Sequence, residues 1–345
     1  MGAPYGIVGS FNIRRGIPVH EDSTPYFRKR VMIIVHTTRN QRLEGTEGLS
    51  TAARAEVVWI DLVAPDPQEV RAVEAYIGSE LMTRSDAAEI ESTSRFYEDH
   101  AEMQLNANFL KPAMDGGWDA QPVSFALRDG ILVTRRDTQL KSFTEMERRR
   151  RSNTQGIGPA SEIFLNIFEV RIDLDADITE QMGREIVVLS KYLKVDSVVG
   201  KDLLIRIDEL LDRAMLLREN IVDKQRSLAA VLKSERFPTA HRHAIRLLLR
   251  DIDSLLEHLT FGFERLEFLQ NTAMGLVNID QNKVIKIFTV ATVVFMPPTL
   301  IASIYGMNFD VMPELQWTGG YPFALALMLV SSGITLYYFK RKGWL

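Results

Sequence analysis

The sequence predicts an α/β cytoplasmic domain followed by long helices and two C-terminal transmembrane helices, and three observations lead there. Strand-like and helix-like patterns alternate through roughly the first 150 residues. From 161 onwards apolar residues recur at helical spacing, with a single proline break at Pro238 before Pro297. Finally, two stretches without a charge, 287–309 and 315–339, each exceed the roughly 20 residues a helix needs to cross a bilayer. These patterns divide the 345 residues into an α/β domain over 1–160, a helical hairpin over 161–240, a stalk helix over 241–286, a first span over 287–309, an external loop over 310–318, a second span over 319–339 and a basic tail over 340–345.

In the first part, 31–35 is an apolar, β-branched run and 57–62 (VVWIDL) another. The strands 123–127 and 131–134 pair through Asp129-Gly130, a two-residue hairpin signal. Between the first two strands and this hairpin a helix starts, with Asp66 as N-cap, Pro67 at the first helical position and Glu69 closing a capping box. Ile207, Leu210, Leu211, Ala214, Leu217, Ile221 and Leu228 give the second hairpin helix its apolar face, and Phe237-Pro238-Thr239 ends it. Beyond that break Ile245, Leu248, Ile252, Leu255, Leu256 and Leu259 set a helical period that runs on to Met296. One helix of about 60 residues, about 90 Å long, is predicted to pass from cytoplasm into bilayer.

Composition narrows the function. A formal net charge of -4 leaves no basic excess to neutralise a phosphate backbone, so no nucleic-acid partner is expected. The absence of cysteine excludes disulfides, thiolate metal sites and a cysteine nucleophile. Neither a GxSxG elbow nor an HExxH pair is present, so no enzyme and no cofactor is expected. His241 and His243 stand two apart on a helix and point in different directions, which does not make a metal site. The N-terminus lacks a signal peptide's apolar core, and Gly6 occupies the position where myristoylation needs a hydroxyl residue.

Lys283 and Lys286 precede the first span, and Lys340, Arg341 and Lys342 follow the second, whereas the loop between them has Asp310 and Glu314 but no lysine or arginine. The positive-inside rule puts both termini in the cytoplasm. Along the first span Asn282, Thr289, Thr292, Met296, Thr299 and Ser303, with Ile285, follow steps of three and four and share one face. Such a stripe suits pore lining and suits helix packing, since small hydroxyl residues also join transmembrane helices. Two spans per chain are too few to wall a water path, so a pore requires several copies around an axis.

At the outer end stands Tyr305-Gly306-Met307-Asn308, whose asparagine offers a neutral carbonyl oxygen. Magnesium surrenders its waters reluctantly. A ring of Asn308 carboxamides would accept hydrogen bonds from those waters and would not trap the ion as carboxylates would.

The run YGMNF over 305–309, Met312-Pro313-Glu314-Leu315, Trp317, Gly320-Tyr321-Pro322 and the closing YFKRKGWL resemble the CorA magnesium and cobalt transport family. The likeness reaches back through 277–290, Phe295-Met296-Pro297-Pro298-Thr299 and, more loosely, Trp59-Ile60-Asp61-Leu62. It implies a homopentamer with a CorA-like funnel in the cell inner membrane, passing hydrated magnesium, cobalt or nickel. It also implies an outer filter at Gly306, Met307 and Asn308, an external loop over Met312 to Leu315, constrictions at Asn282, Ile285, Met296, Thr299 and Asn308, and closure by intracellular magnesium. Candidate carboxylates for that regulatory ion are Asp173, Asp175, Asp177, Asp251 and Asp253, each of which taken singly better suits a solvated acidic face. The rivals are a zinc transporter of the same fold, proton-coupled or outward, and a membrane-tethered signalling or scaffold module.

Overall fold

The computed structural model describes residues 32–39, 42–82, 95–114, 116–152, 158–195, 200–308, 310, 312–313 and 316–344. Contacts divide the chain into two compact units, one of Met1–Lys111, Ala120–Phe168 and Ser227–Ile245, the other of Pro112–Asp119, Glu169–Arg226 and Arg246–Leu345.

The first unit is built on a seven-stranded sheet of order β2-β1-β3-β7-β6-β5-β4. Its strands are β1 (Met32–Thr37), β2 (Arg42–Glu44), β3 (Val57–Val63), β4 (Phe96–Glu98), β5 (Glu102–Pro112), β6 (Trp118–Arg128) and β7 (Ile131–Arg136). β3 is buried over its whole length and runs parallel to β7, while β1 pairs antiparallel with both β2 and β3. The β6–β7 hairpin turns at Asp129 (φ 49°) and Gly130 (φ 77°), the two left-handed residues a primed turn demands.

Two short helices belong to this unit, α1 (Gly45–Thr51) and α2 (Pro67–Ile77). The start of α2 carries the full capping box: Asp66 Oδ1 accepts from the Gln68 and Glu69 amides at 2.7 and 2.9 Å, and Glu69 Oε2 accepts from the Asp66 amide at 3.3 Å. One face of the sheet buries Ile33, Val35, Ile60, Leu62 and Val133 with Val73 and Ile77 of α2. Because side chains alternate, Trp59, Asp61, Thr134 and Phe125 point the other way. There a third helix, α3 (Lys141–Ser152), brings Phe143, and Phe164, Phe168 and Phe237 join Phe109 and Phe125 in a continuous aromatic cluster.

This face also encloses a buried ion pair. Arg136 Nη2 donates to Asp61 Oδ2 at 2.7 Å, and Trp59 Nε1 donates to Thr134 Oγ1, which donates in turn to Asp61 Oδ1. The guanidinium lies 4.4 Å above the Phe143 ring.

The second unit is helical. It takes most of α4 (Ala160–Val195) and α5 (Lys201–Lys233), the run of α6 from Arg246, and α7 (Gly320–Arg341). α6 as a whole is Arg242–Tyr305, 64 residues, or about 96 Å at 1.5 Å per residue. In α5, Ile207, Leu210, Ala214, Leu217 and Ile221 are buried, at the three- and four-residue steps of an apolar stripe. Both α6 and α7 carry stretches long and apolar enough to span a membrane, yet only 11% of either stretch is buried within the chain. A core helix of a soluble protein would be mostly covered.

Candidate ion path

The last third of α6 packs against α7 along a seam. Val290 and Val294 are buried with Phe339 of α7, and Val293 leans on the same cluster. At 100° per residue the stripe from Asn282 to Ser303 is centred about 140° away from this seam. Asn282, Ile285, Thr292, Met296, Thr299 and Ser303 are accordingly exposed in the protomer and Thr289 is half-buried. α7 covers the opposite side.

The hydroxyls on that face have a fixed polarity. Thr289, Thr292 and Thr299 each donate to the carbonyl one turn back, Ile285, Phe288 and Phe295, at 2.8, 2.9 and 2.7 Å. With their protons committed to the helix, they present oxygen lone pairs outwards. Water bound to a cation offers hydrogens, so acceptors of this kind suit a hydrated ion.

Pro297 and Pro298 lie inside α6 and remove two donors, which leaves the carbonyls of Val293 and Val294 without their usual partners. Ser332 of α7 supplies one donor: its Oγ lies 3.4 Å from the Val294 carbonyl. Sequence reasoning missed Ser332, although two successive prolines in an apolar span signal a need for donors from a neighbouring helix.

The helix ends at Tyr305, half-buried, and closes with the Gly306 amide on the Ala302 carbonyl at 2.9 Å and the Met307 amide on the Ile304 carbonyl at 3.2 Å. A Cβ at Gly306 would sit 3.1 Å from the Ala302 carbonyl oxygen, so the tight closure itself favours glycine. Met307 and Asn308 are exposed immediately beyond, at the mouth of the stripe. Met312 is half-buried and Pro313 exposed, while Glu314 and Leu315 lie outside the described residues. At the other end Lys286 Nζ donates to the Gly343 carbonyl at 2.9 Å, and Trp344 packs on Phe339 with ring centres 5.5 Å apart. Lys286 thus clasps the C-terminal tail onto the first apolar helix.

The acidic candidates are dispersed. Asp175 is fully buried between Arg171 (2.6 Å) and Lys224 (3.1 Å), and Lys224 also donates to the Asn220 carbonyl at 3.1 Å and to its side-chain oxygen. Burial drives the Lys224 ammonium down to about 8, against the pull of Asp175. Asp173 and Asp177 are exposed on the other side of the same helix. Asp251 and Asp253 are exposed on α6, where Asp253 accepts from Gln225 Nε2 at 2.6 Å. Among the described residues no three His, Cys, Asp or Glu side chains gather to hold a metal.

A soluble α/β domain, long helices and two C-terminal apolar helices, one with an unpartnered polar face, define a class of membrane transport protein. The chain belongs to the CorA-like Mg2+ transporter family, whose model matches residues 54–341. It is 38% identical over 314 residues to the magnesium transport protein CorA of Yersinia pseudotuberculosis, covering 90% of this chain and 98% of that one. It is 37% identical over 317 residues to CorA of Escherichia coli K12, covering 91% and 100%.

Two solved structures share the fold. The complete CorA magnesium transporter of Methanocaldococcus jannaschii matches with a TM-score of 0.77 at 18% identity, over 92% of this chain and all of that one. The full-length CmaX protein matches at 0.69 and 14%, over 92% and 99%. By its family the chain is a divalent-cation transporter and not an enzyme.

Proposed function

We propose that the chain is one of five identical subunits of a channel in the cell inner membrane that admits hydrated magnesium, and cobalt or nickel with it, down the membrane potential. The observation that carries this reading is the outward face of α6: Asn282 through Ser303 is left uncovered by α7 and aims acceptor oxygens away from the protomer. Five such faces about one axis enclose a path. Ile285 and Met296 supply apolar rings that exclude water when the path is narrow, and Thr289, Thr292, Thr299 and Ser303 supply polar steps between them.

At the outer mouth five Asn308 carboxamides accept hydrogen bonds from the waters of the ion, and Tyr305, Gly306 and Met307 fix the helix end behind them. Both termini are cytoplasmic, with Lys340, Arg341 and Lys342 at the anionic headgroups. The potential supplies roughly 2.3 kcal/mol per charge per 100 mV, twice that for a divalent ion, so no nucleotide is needed. Intracellular magnesium closes the path by binding between cytoplasmic domains, where Asp173, Asp177, Asp251 and Asp253 are the exposed carboxylates among the candidates. Kinship at 37–38% identity to proteins named for magnesium favours that ion over zinc.

The test is flux into liposomes holding the purified protein under a negative-inside potential. Magnesium entry is expected in the wild type, with a loss of at least about tenfold in Asn308→Ala, the scale of one displaced hydrogen-bonding contact at about 1.4 kcal/mol. Zinc entry that requires a proton gradient would replace the magnesium reading, and no flux of either ion would leave the scaffold reading.

A further inference from the structure

β3 and β7 form a parallel pair whose register sets Val63 beside Arg136, so the two strands end at the same level. The helices that follow them leave towards opposite faces of the sheet. After β3 the chain enters α2, whose Val73 and Ile77 pack with Ile60, Leu62 and Val133. After β7 it enters α3, whose Phe143 packs on the other face, 6.2 Å from Trp59 and beneath the Arg136 guanidinium. Parallel strands whose connections part in this way leave a crevice beyond their carboxyl ends, and that is where open α/β sheets bind ligands. Here the crevice is a cavity of about 470 Å3 lined by Pro65, Pro67, Val70, Arg71 and Arg135, a size that suits a small organic molecule.

The two arginines set its charge. Side chains alternate along β7, so Ile131, Val133 and Arg135 share the face that α2 covers, and Arg71 comes from the second turn of α2 itself. Arg135 is half-buried, yet its guanidinium reaches only the Met82 carbonyl among the described residues, 3.5 Å from Nη1. Its neighbour Arg136 is treated differently, being closed off by Asp61 at 2.7 Å. Arg71 is exposed, and among the described residues neither Arg71 nor Arg135 is paired with a carboxylate. The start of α2 adds no free donor, because Asp66 already accepts from the Gln68 and Glu69 amides and Pro67 has no N–H. Backbone strain falls at the same place. Ala64, between β3 and the cavity, holds φ at 46°, and its amide donates to the Arg136 carbonyl at 2.7 Å. Left-handed residues other than glycine persist where their surroundings over-determine them, and they cluster at ligand sites.

We propose that this crevice binds a nucleoside phosphate, with Arg71 and Arg135 on the phosphate oxygens and Pro65, Pro67 and Val70 against the sugar or base. Guanidinium forks match phosphate oxygens in pairs. An inorganic anion would use the arginines and leave the apolar wall bare. The site lies within one unit of a single chain, so its occupancy is independent of the ion path and is read without flux.

The experiment is equilibrium dialysis of adenosine triphosphate against the full-length protein in detergent, with EDTA present so that magnesium takes no part. Saturable binding at about one site per chain is expected. Arg71→Gln and Arg135→Gln are each expected to weaken it at least about tenfold, the scale of one charge-assisted hydrogen bond. Arg148→Gln, exposed on α3, is expected to bind as wild type does. Inorganic tripolyphosphate is expected to bind at least about tenfold more weakly than the nucleotide. An unchanged unfolding midpoint identifies the variants that keep the fold, and either arginine variant that keeps it suffices. Binding that is absent, that survives either substitution in a folded variant, or that Arg148→Gln lowers equally overturns the site. Tripolyphosphate binding as tight as that of the nucleotide overturns the ligand class.

Discussion

The sheet unit and the membrane half of α6 treat polar side chains in opposite ways. In the sheet, Asp61 and Arg136 are buried and each is satisfied within one copy of the chain, with Thr134, Trp59 and the Phe143 ring completing the arrangement. On α6, Asn282, Thr292 and Thr299 remain uncovered in or beside a stretch apolar enough for a bilayer, as does Asn308 just beyond the helix. A satisfied polar network specifies a fold and is unavailable to a ligand. An uncovered one in an apolar setting is free to meet a partner outside the protomer, which in the proposed channel is the ion and the other subunits.

The sharpest way to break this contrast is to remove one member of the sheet's ion pair. Asp61→Ala leaves Arg136 buried and uncompensated, which costs about 3–5 kcal/mol. Thermal unfolding of the purified protein is expected to show a large fall in midpoint or no folded protein at all. A loss under about 1 kcal/mol would mean that the network is not the structural device its burial indicates.

A smaller effect is expected at Lys224, where the chain buries two cations around one carboxylate. The folded value of about 8 lies below the ordinary 10.5, so between those pH values the unfolded chain holds a proton that the folded chain has released. More protons on the unfolded state mean that stability rises with pH through that window. The gain approaches about 3 kcal/mol at the upper end. Lys224→Met keeps the Arg171–Asp175 pair and is expected to unfold no earlier than wild type at pH 7 and to lack the rise between pH 8 and 10. A wild-type protein that weakens over that interval relative to Lys224→Met would reverse the assignment.

Local features were legible in the sequence: the Asp66 capping box, the Asp129-Gly130 hairpin and the long α6 each depend on neighbours within a few residues. So was the existence of a polar stripe, because periodicity needs no tertiary information. What the sequence withheld were partners distant along the chain. Asp175 looked like one of three acids in a cluster, yet helical geometry turns it away from Asp173 and Asp177, and its partner Lys224 is on another helix. Arg136 gave no sign that it would meet Asp61 across β7 and β3.

The smallest expected effect tests how closely the two apolar helices depend on each other. Pro297 and Pro298 cost α6 two hydrogen bonds, and Ser332 returns one through a contact of 3.4 Å to the Val294 carbonyl. Hydrogen bonds between transmembrane helices average about 0.6 kcal/mol, so Ser332→Ala is expected to lower stability by about 1 kcal/mol or less. Flux is expected to respond out of proportion to stability, because Val294 lies between Thr292 and Met296 on the same turns as the path. A Ser332→Ala protein with altered magnesium flux and a nearly unchanged unfolding midpoint would show that α7 sets the position of the pore face. Parallel small losses in both would reduce Ser332 to a packing contact.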